Sequence, residues 1–246
     1  MSFVIFGDLF TFPEGNAATN RVYNYAIGFI ENGISTHVIC FRNEFNFDKK
    51  GNLNGINYAF PFSPKKRNKF FFIRILHRIS KYFNTIKIFR EINNAEKIIA
   101  INCYSRQFSV RLFAILIAKI YKSKILLESS EHPLQFVSNS LYSRILYNIE
   151  LYFTLRLFDG ILCISEYLVK FYESKGIKRQ KLFIVPSTVD TSRFLNHQDS
   201  PLSCQYIVYC GGLSILKDGV NILIRSFAEI ADKYINLSLV LIGAAD

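Results

Sequence analysis

The chain has 246 residues, half of them hydrophobic and 20% charged, enough to bury a sizeable core in one large or two ordinary domains, which excludes a disordered protein. Its net charge of +11 bears on partners rather than on fold, and favours anionic ones. Five cysteines (Cys40, Cys103, Cys163, Cys204, Cys210), odd in number, widely spaced and without a CxxC pair, read as buried thiols of a reducing cytosol and argue against a disulfide framework or a zinc site.

The chain enters a strand at once (SFVIFGDLF). It has no basic leader and an early Asp8, so no secretory signal is expected. A long loop, residues 7–20, then delivers Gly15 and Asn16 to the start of a helix over 17–32. Small residues there let an anionic ligand approach free backbone N–H groups, although a turn and a helix cap need the same pair. Strands follow over 36–41 and 57–60.

Between residues 63 and 91 lie Lys65, Lys66, Arg67, Lys69, Arg74, Arg78, Lys81, Lys87 and Arg90, interleaved with phenylalanine, isoleucine and tyrosine on a helix over 70–93. Basic and aromatic residues at that spacing suit an anionic membrane surface. A core-facing helix with a solvated basic face has the same pattern. No nucleic-acid motif accompanies the charge.

A strand over 97–101 and a helix over 105–121 come next. The apolar run at 112–118 is flanked by Arg111 and Lys119, well short of the ~18 uncharged residues a membrane-spanning helix needs. A strand over 124–127 leads into Glu128-Ser129-Ser130-Glu131-His132-Pro133, where two carboxylates and an imidazole at a strand's carboxyl end suit acid-base chemistry or the holding of sugar hydroxyls. His37, His77 and His197 read as ordinary polar residues. Beyond a helix over 141–158 and a strand over 160–164, Ser165 and Glu166 cap a helix over 166–175, and a strand spans 181–185.

This alternation predicts an α/β, doubly wound, mostly parallel Rossmann-like domain over residues 1–186, with ligands beyond the carboxyl ends of its strands. A polar linker follows over 187–204. Residues 205–246 restart the rhythm as strand (QYIVYCG), loop (GLSILKDG), helix (VNILIRSFAEIADKY) and strand (LSLVLIG), one β-α-β unit that reads as the opening of a second, incomplete Rossmann-like domain. In its loop, Gly211 and Gly212 permit close backbone approach and Lys217 is placed to neutralise phosphate. No GxGxxG follows the first strand, and neither a P-loop nor an HExxH motif occurs, which disfavours a dinucleotide dehydrogenase and a P-loop enzyme.

The stretch YCGGLSILKDGVNILIRSFAEIADKYINLSLVLIG resembles the opening of the nucleotide-sugar domain of GT-B glycosyltransferases of family 4. DGILCISEYLVKFYESKGIKRQKLFIVPSTVDTSRF is similar to the end of that family's N-terminal domain. The resemblance implies retaining sugar transfer from a nucleotide-sugar donor without metal or cofactor, the donor diphosphate at Gly211, Gly212 and Lys217, and the acceptor against Gly15, Asn16 and Glu128, with His132 and Glu131 as catalytic candidates. A lipid-linked acceptor for capsule or lipopolysaccharide synthesis is expected, on the cytoplasmic face of the membrane, which Lys65, Lys66, Arg67, Lys69, Arg74 and Arg78 would contact.

Two departures stand out. Gly212 occupies the place of the family's phosphate-binding arginine, and the family's glutamate-x7-glutamate segment would lie past Asp246, so this chain by itself is expected to be inactive. The alternatives are a non-catalytic membrane-docking module and a nucleotide-sugar 2-epimerase-like isomerase.

Overall fold

The computed structural model describes residues 1–42, 50–62, 64, 69–133, 140–191, 199–215 and 218–243. They divide into two units, Met1–Asp190 and Thr191–Asp246.

The first unit is built on an eight-stranded sheet in the order β3-β4-β2-β1-β5-β6-β7-β8. Its strands are β1 (Ser2–Gly7), β2 (Ser35–Cys40), β3 (Lys50–Leu53), β4 (Ile56–Ala59), β5 (Ile98–Tyr104), β6 (Lys124–Ser129), β7 (Gly160–Cys163) and β8 (Leu182–Ile184). Every pairing is parallel except β3 with β4. Burial on both faces explains why β1 reads as an unbroken apolar run. Phe3 and Ile5 enter the cluster beneath α1 (Ala17–Glu31), with Val22 and Ala26. Val4 and Phe6 enter the opposite cluster, covered by α2 (Phe71–Ala95), α3 (Phe108–Tyr121) and α5 (Glu166–Ser174). The doubly wound α/β architecture expected from the sequence is therefore present.

The sequence reading passed over β3. It forms a hairpin with β4 through Asn54-Gly55, whose φ values of 50° and 84° are those a tight two-residue turn requires. The helix expected over 141–158 stops earlier: α4 (Leu141–Tyr152) gives way to a 3-10 turn at Thr154–Leu157, which buries Thr154 and Leu155.

In the second unit β9 (Gln205–Cys210) pairs in parallel with β10 (Leu237–Ile242) across α6 (Val220–Ala231), the β-α-β unit expected there. Of the five cysteines, Cys40, Cys103 and Cys163 are buried, whereas Cys204 and Cys210 are exposed, so the reading of buried thiols applies to the first unit alone. Among the described residues no helix is long and apolar enough to cross a membrane.

Candidate active site

The chain leaves β1 toward β2 on one side and reaches β5 on the other, so the crevice where ligands bind in such sheets opens at the carboxyl ends of β1 and β5. The two strand ends are in close contact. A Cβ on Gly7 would lie 1.9 Å from the Tyr104 carbonyl oxygen, which only glycine avoids. The Asp8 N–H donates to that same oxygen at 3.2 Å. The Gln107 side-chain amide donates to Asp8 Oδ2, while Asp8 Oδ1 is buried with no hydrogen-bond partner. The hydroxyls of Tyr104 and Ser130 are 2.7 Å apart and join the ends of β5 and β6.

Gly15 and Asn16 sit at the entry to α1. Thr19 Oγ1 donates to the Thr11 carbonyl at 2.8 Å, and a Cβ on Gly15 would lie 2.2 Å from Thr19 Oγ1 and 2.3 Å from Thr11 Oγ1. Asn16 is the helix cap, its Oδ1 accepting from the Ala18 N–H at 3.1 Å. Both residues thus have local structural work whatever they touch in a complex.

Glu128 lies within β6, not in the loop after it, because the strand runs two residues further than its apolar pattern indicates. Its side chain is 0% exposed and that of its partner Arg21, from α1, is 6% exposed. Arg21 Nε donates to Glu128 Oε1 at 2.8 Å, and its two Nη atoms donate to the carbonyls of Pro186 at 2.9 Å and Val185 at 2.6 Å. Asn102 Nδ2 donates to Glu128 Oε2 at 3.3 Å. Burial pushes the Glu128 carboxyl up and Arg21 pulls it back. The Tyr25 phenol, beneath the Arg21 guanidinium at 4.9 Å, is held well above its usual range by burial and by Glu128. This buried cluster joins α1, β5, β6 and the exit of β8.

Glu131 and His132 are adjacent in sequence but turn to different partners. Arg106, from the loop after β5, approaches Glu131 at 3.8 Å, and the His132 ring packs edge-on to Phe171 of α5 with centroids 4.3 Å apart. In the second unit the Gly211 N–H donates to the Ile242 carbonyl at 2.9 Å and the Tyr209 hydroxyl to the Gly212 carbonyl at 2.8 Å, which holds the glycine turn against the end of β10. Lys217, Lys65, Lys66 and Arg67 lie outside the described residues, while Lys69, Arg74 and Arg78 are exposed. Lys81, counted in sequence among the basic residues of this helix, is buried: its ammonium donates to the Phe41 carbonyl and lies 4.2 Å from the centre of the Phe41 ring.

A cavity of about 260 Å³, lined among others by His37, Lys50, Tyr58 and Glu91, lies between the sheet and the end of α2. It is away from the carboxyl edge and mostly apolar, and brings together none of the candidate residues. Asp8, Gln107, Tyr104 and Arg21 went unrecognised as site residues in the sequence. Asp8 had one usable signal, its place immediately after the first strand; the others depend on partners far away in the chain.

The family model described as Glycosyltransferase Family 4 matches residues 18–193. Among solved structures, the lipopolysaccharide outer core galactosyltransferase WaaB aligns at TM-score 0.54 and 15% identity over 99% of this chain and 69% of that one. Anabaena Alr3699/HepE, solved with UDP and glucose, aligns at TM-score 0.61 and 15% identity over 99% and 61%. UDP-GlcNAc 2-epimerase from Methanocaldococcus jannaschii aligns at 0.55 and 12% over 98% and 65%. No curated protein sequence matches. At these identities the structural likeness establishes fold, and the chain spans about two-thirds of the length of its structural neighbours. The family match, which covers most of the chain, carries the assignment: the protein belongs to glycosyltransferase family 4, with the GT-B fold.

Proposed function

We propose that the full-length protein transfers a sugar, with retention, from a nucleotide-sugar donor to a lipid-linked glycan acceptor during surface polysaccharide synthesis, while docked on the inner face of the cytoplasmic membrane. Family membership supports the transfer, and neighbours solved with UDP support the donor class. In this reading the donor diphosphate rests on Gly211, Gly212 and Lys217, where backbone N–H groups and a fixed positive charge stabilise the leaving group. The acceptor enters the first unit's carboxyl edge, bordered by Gly15, Asn16, Glu131 and His132. Glu128, buried against Arg21, shapes that edge from below.

The observation that carries the membrane part is the outer face of α2. Phe72, Leu76, Ile79, Phe83 and Ile86, spaced alternately four and three apart, are all exposed, Phe72 by 78% and Phe83 by 62%. They lie opposite the buried Thr85, Ile88 and Ile92, so the helix is apolar on two sides, and its core contacts account for one of them. Helices α3 and α4 share the core cluster of α2 and expose Leu112, Leu116 and Ile120, and Leu141, Ile145 and Ile149. Across the three helices Glu91 and Glu150 are the only acids, and Glu150 is paired with Arg111, against the exposed Arg74, Arg78, Lys87, Arg90, Lys119 and Arg144. An apolar face with cationic flanks fits anionic lipid, where each surface cation adds about 1 kcal/mol.

The test is to incubate full-length protein with labelled UDP-glucose, UDP-galactose or UDP-GlcNAc and phosphatidylglycerol vesicles carrying a polyprenyl-diphosphate-linked sugar. One donor should deliver label to the lipid phase, and replacing the anionic lipid with phosphatidylcholine should reduce delivery. Label that stays aqueous with all three donors would refute the reading.

A further inference from the structure

We propose that the cavity between α2 and the β2–β4–β3 end of the sheet binds a free amino acid with a large apolar side chain, its two charges held by Lys50 and Glu91. The site stands apart from the crevice between β1 and β5 and is independent of the glycosyl-transfer reading.

Strand pairing builds the floor. Ile39 of β2 is opposite Ala59 of β4, which is opposite Lys50 of β3, so an apolar row ends in an ammonium group. Ile39 and Ala59 share one core cluster with Ile88 and Ile92 of α2, and side-chain alternation turns Lys50 and His37 to that same side of the sheet. Helix spacing builds the wall. Ile88, Glu91, Ile92 and Ala95 recur at i, i+3, i+4 and i+7, the stripe that a helix lays on its core, and Glu91 stands where an apolar residue is the rule. Lys50 Nζ lies 2.5 Å from Glu91 Oε2. Both side chains are 61% exposed, and Asn57 and Ala95 are exposed as well, so this is the mouth of the cavity and solvent reaches it.

Size and charge select the ligand. The volume of about 260 Å³ exceeds the ~150 Å³ that admits a benzene ring and falls short of the ~300–1,000 Å³ of most ligand pockets. A nucleotide sugar is too large for it, whereas one ring or one branched chain fits. The buried Ile39, Ala59, Ile88 and Ile92 receive an apolar group. At the mouth a simple anion would meet the Glu91 carboxylate and a simple cation the Lys50 ammonium, whereas a zwitterion is matched by both. Ion pairs as exposed as Lys50–Glu91 contribute little to stability, so the pair opens readily to take a ligand's two charges. Burial holds the His37 imidazole below its usual range, partly offset by Glu96, so the ring is neutral at pH 7 and adds no charge to the interior. An α-amino acid carries its carboxylate and ammonium on one carbon, which suits charges at the mouth and a side chain inside.

The experiment is an NMR titration of the ¹⁵N-labelled chain with L-phenylalanine and L-leucine. Glycine, 3-phenylpropionate and phenethylamine serve as probes that lack the side chain, the ammonium and the carboxylate in turn. At least one of the two apolar amino acids should bind in the millimolar range and shift the backbone signals of Ala59, Ile88 and Ala95. Glycine should not bind, and each single-charge analogue should bind about threefold or more weakly than the amino acid. Lys50→Gln and Glu91→Gln should each weaken binding about three- to fivefold, the scale of one exposed ion pair, and Ala59→Leu, which fills the floor, should abolish it. Lys50 and Glu91 are exposed, so their variants keep the fold, and the dispersion of the amide spectrum reports it. No binding of either amino acid, an analogue that binds as tightly, undiminished binding in both charge variants, or shifts confined to other residues overturns the proposal.

Discussion

Replacing Arg21 with methionine keeps most of the side chain's volume and removes its charge, leaving Glu128 with no opposing cation at 0% exposure. Breaking a buried pair from one side costs about 3–5 kcal/mol, because the remaining charge has lost its compensation. Three hydrogen bonds disappear together, to Glu128, Pro186 and Val185, which places the cost toward the upper end. In a unit of this size each kcal/mol moves the melting midpoint by about 2–4 °C, so Arg21→Met should lower Tm by roughly 6–20 °C.

The pH dependence carries the sign of the effect. Burial already raises the Glu128 carboxyl, and without Arg21 it rises further, so between the unfolded value of about 4.3 and the new folded value the native state binds more protons than the unfolded one. Stability of the variant relative to the parent therefore falls as pH rises through that window, and the deficit is smaller near pH 5 than near pH 7. The double variant Arg21→Met, Glu128→Leu should recover a large part of the loss. Thermal melts at the two pH values are the assay. A single variant that melts within a degree of the parent, or a deficit that grows on acidification, would refute the reasoning.

The outer face of α2 makes a separable prediction: Phe72→Ser with Phe83→Ser should abolish co-flotation with phosphatidylglycerol vesicles while leaving Tm nearly unchanged, since both side chains are exposed. Thiol labelling of the native protein should modify Cys204 and Cys210 and spare Cys103 and Cys163, whose thiols burial raises to about 12, until the first unit unfolds. Asn16→Ala should cost about 1 kcal/mol by uncapping α1, read from the urea midpoint.

What the sequence revealed follows what its local patterns encode. Strands buried on both faces appear as continuous apolar runs, so β1, β5 and β6 were legible, as was the restart at Gln205. Strand β3 was missed because Lys-Gly-Asn-Leu has little apolar content, although the Asn54-Gly55 turn was a usable hairpin signal. Glu128 was placed in a loop because a charge at the end of an apolar run looks like an exit. The Arg21 side chain, 107 residues away, with Asn102 on the other oxygen, makes a buried carboxylate tenable there. Lys81 was grouped with surface cations for the same reason, since its partner, the Phe41 carbonyl, is 40 residues away. The Asp8–Gln107 bond joins residues 99 apart, and no local spacing encodes it.

The most direct test of the central claim is to follow one nucleotide-sugar donor by proton NMR in the presence of full-length protein, with and without the lipid-linked acceptor. Glycosyl transfer predicts that the donor's anomeric signal decays only when acceptor is present, giving free nucleoside diphosphate and a new glycosidic signal of the same anomeric configuration. Conversion of the donor to its C2 epimer without acceptor would contradict the account and assign the protein to isomerisation.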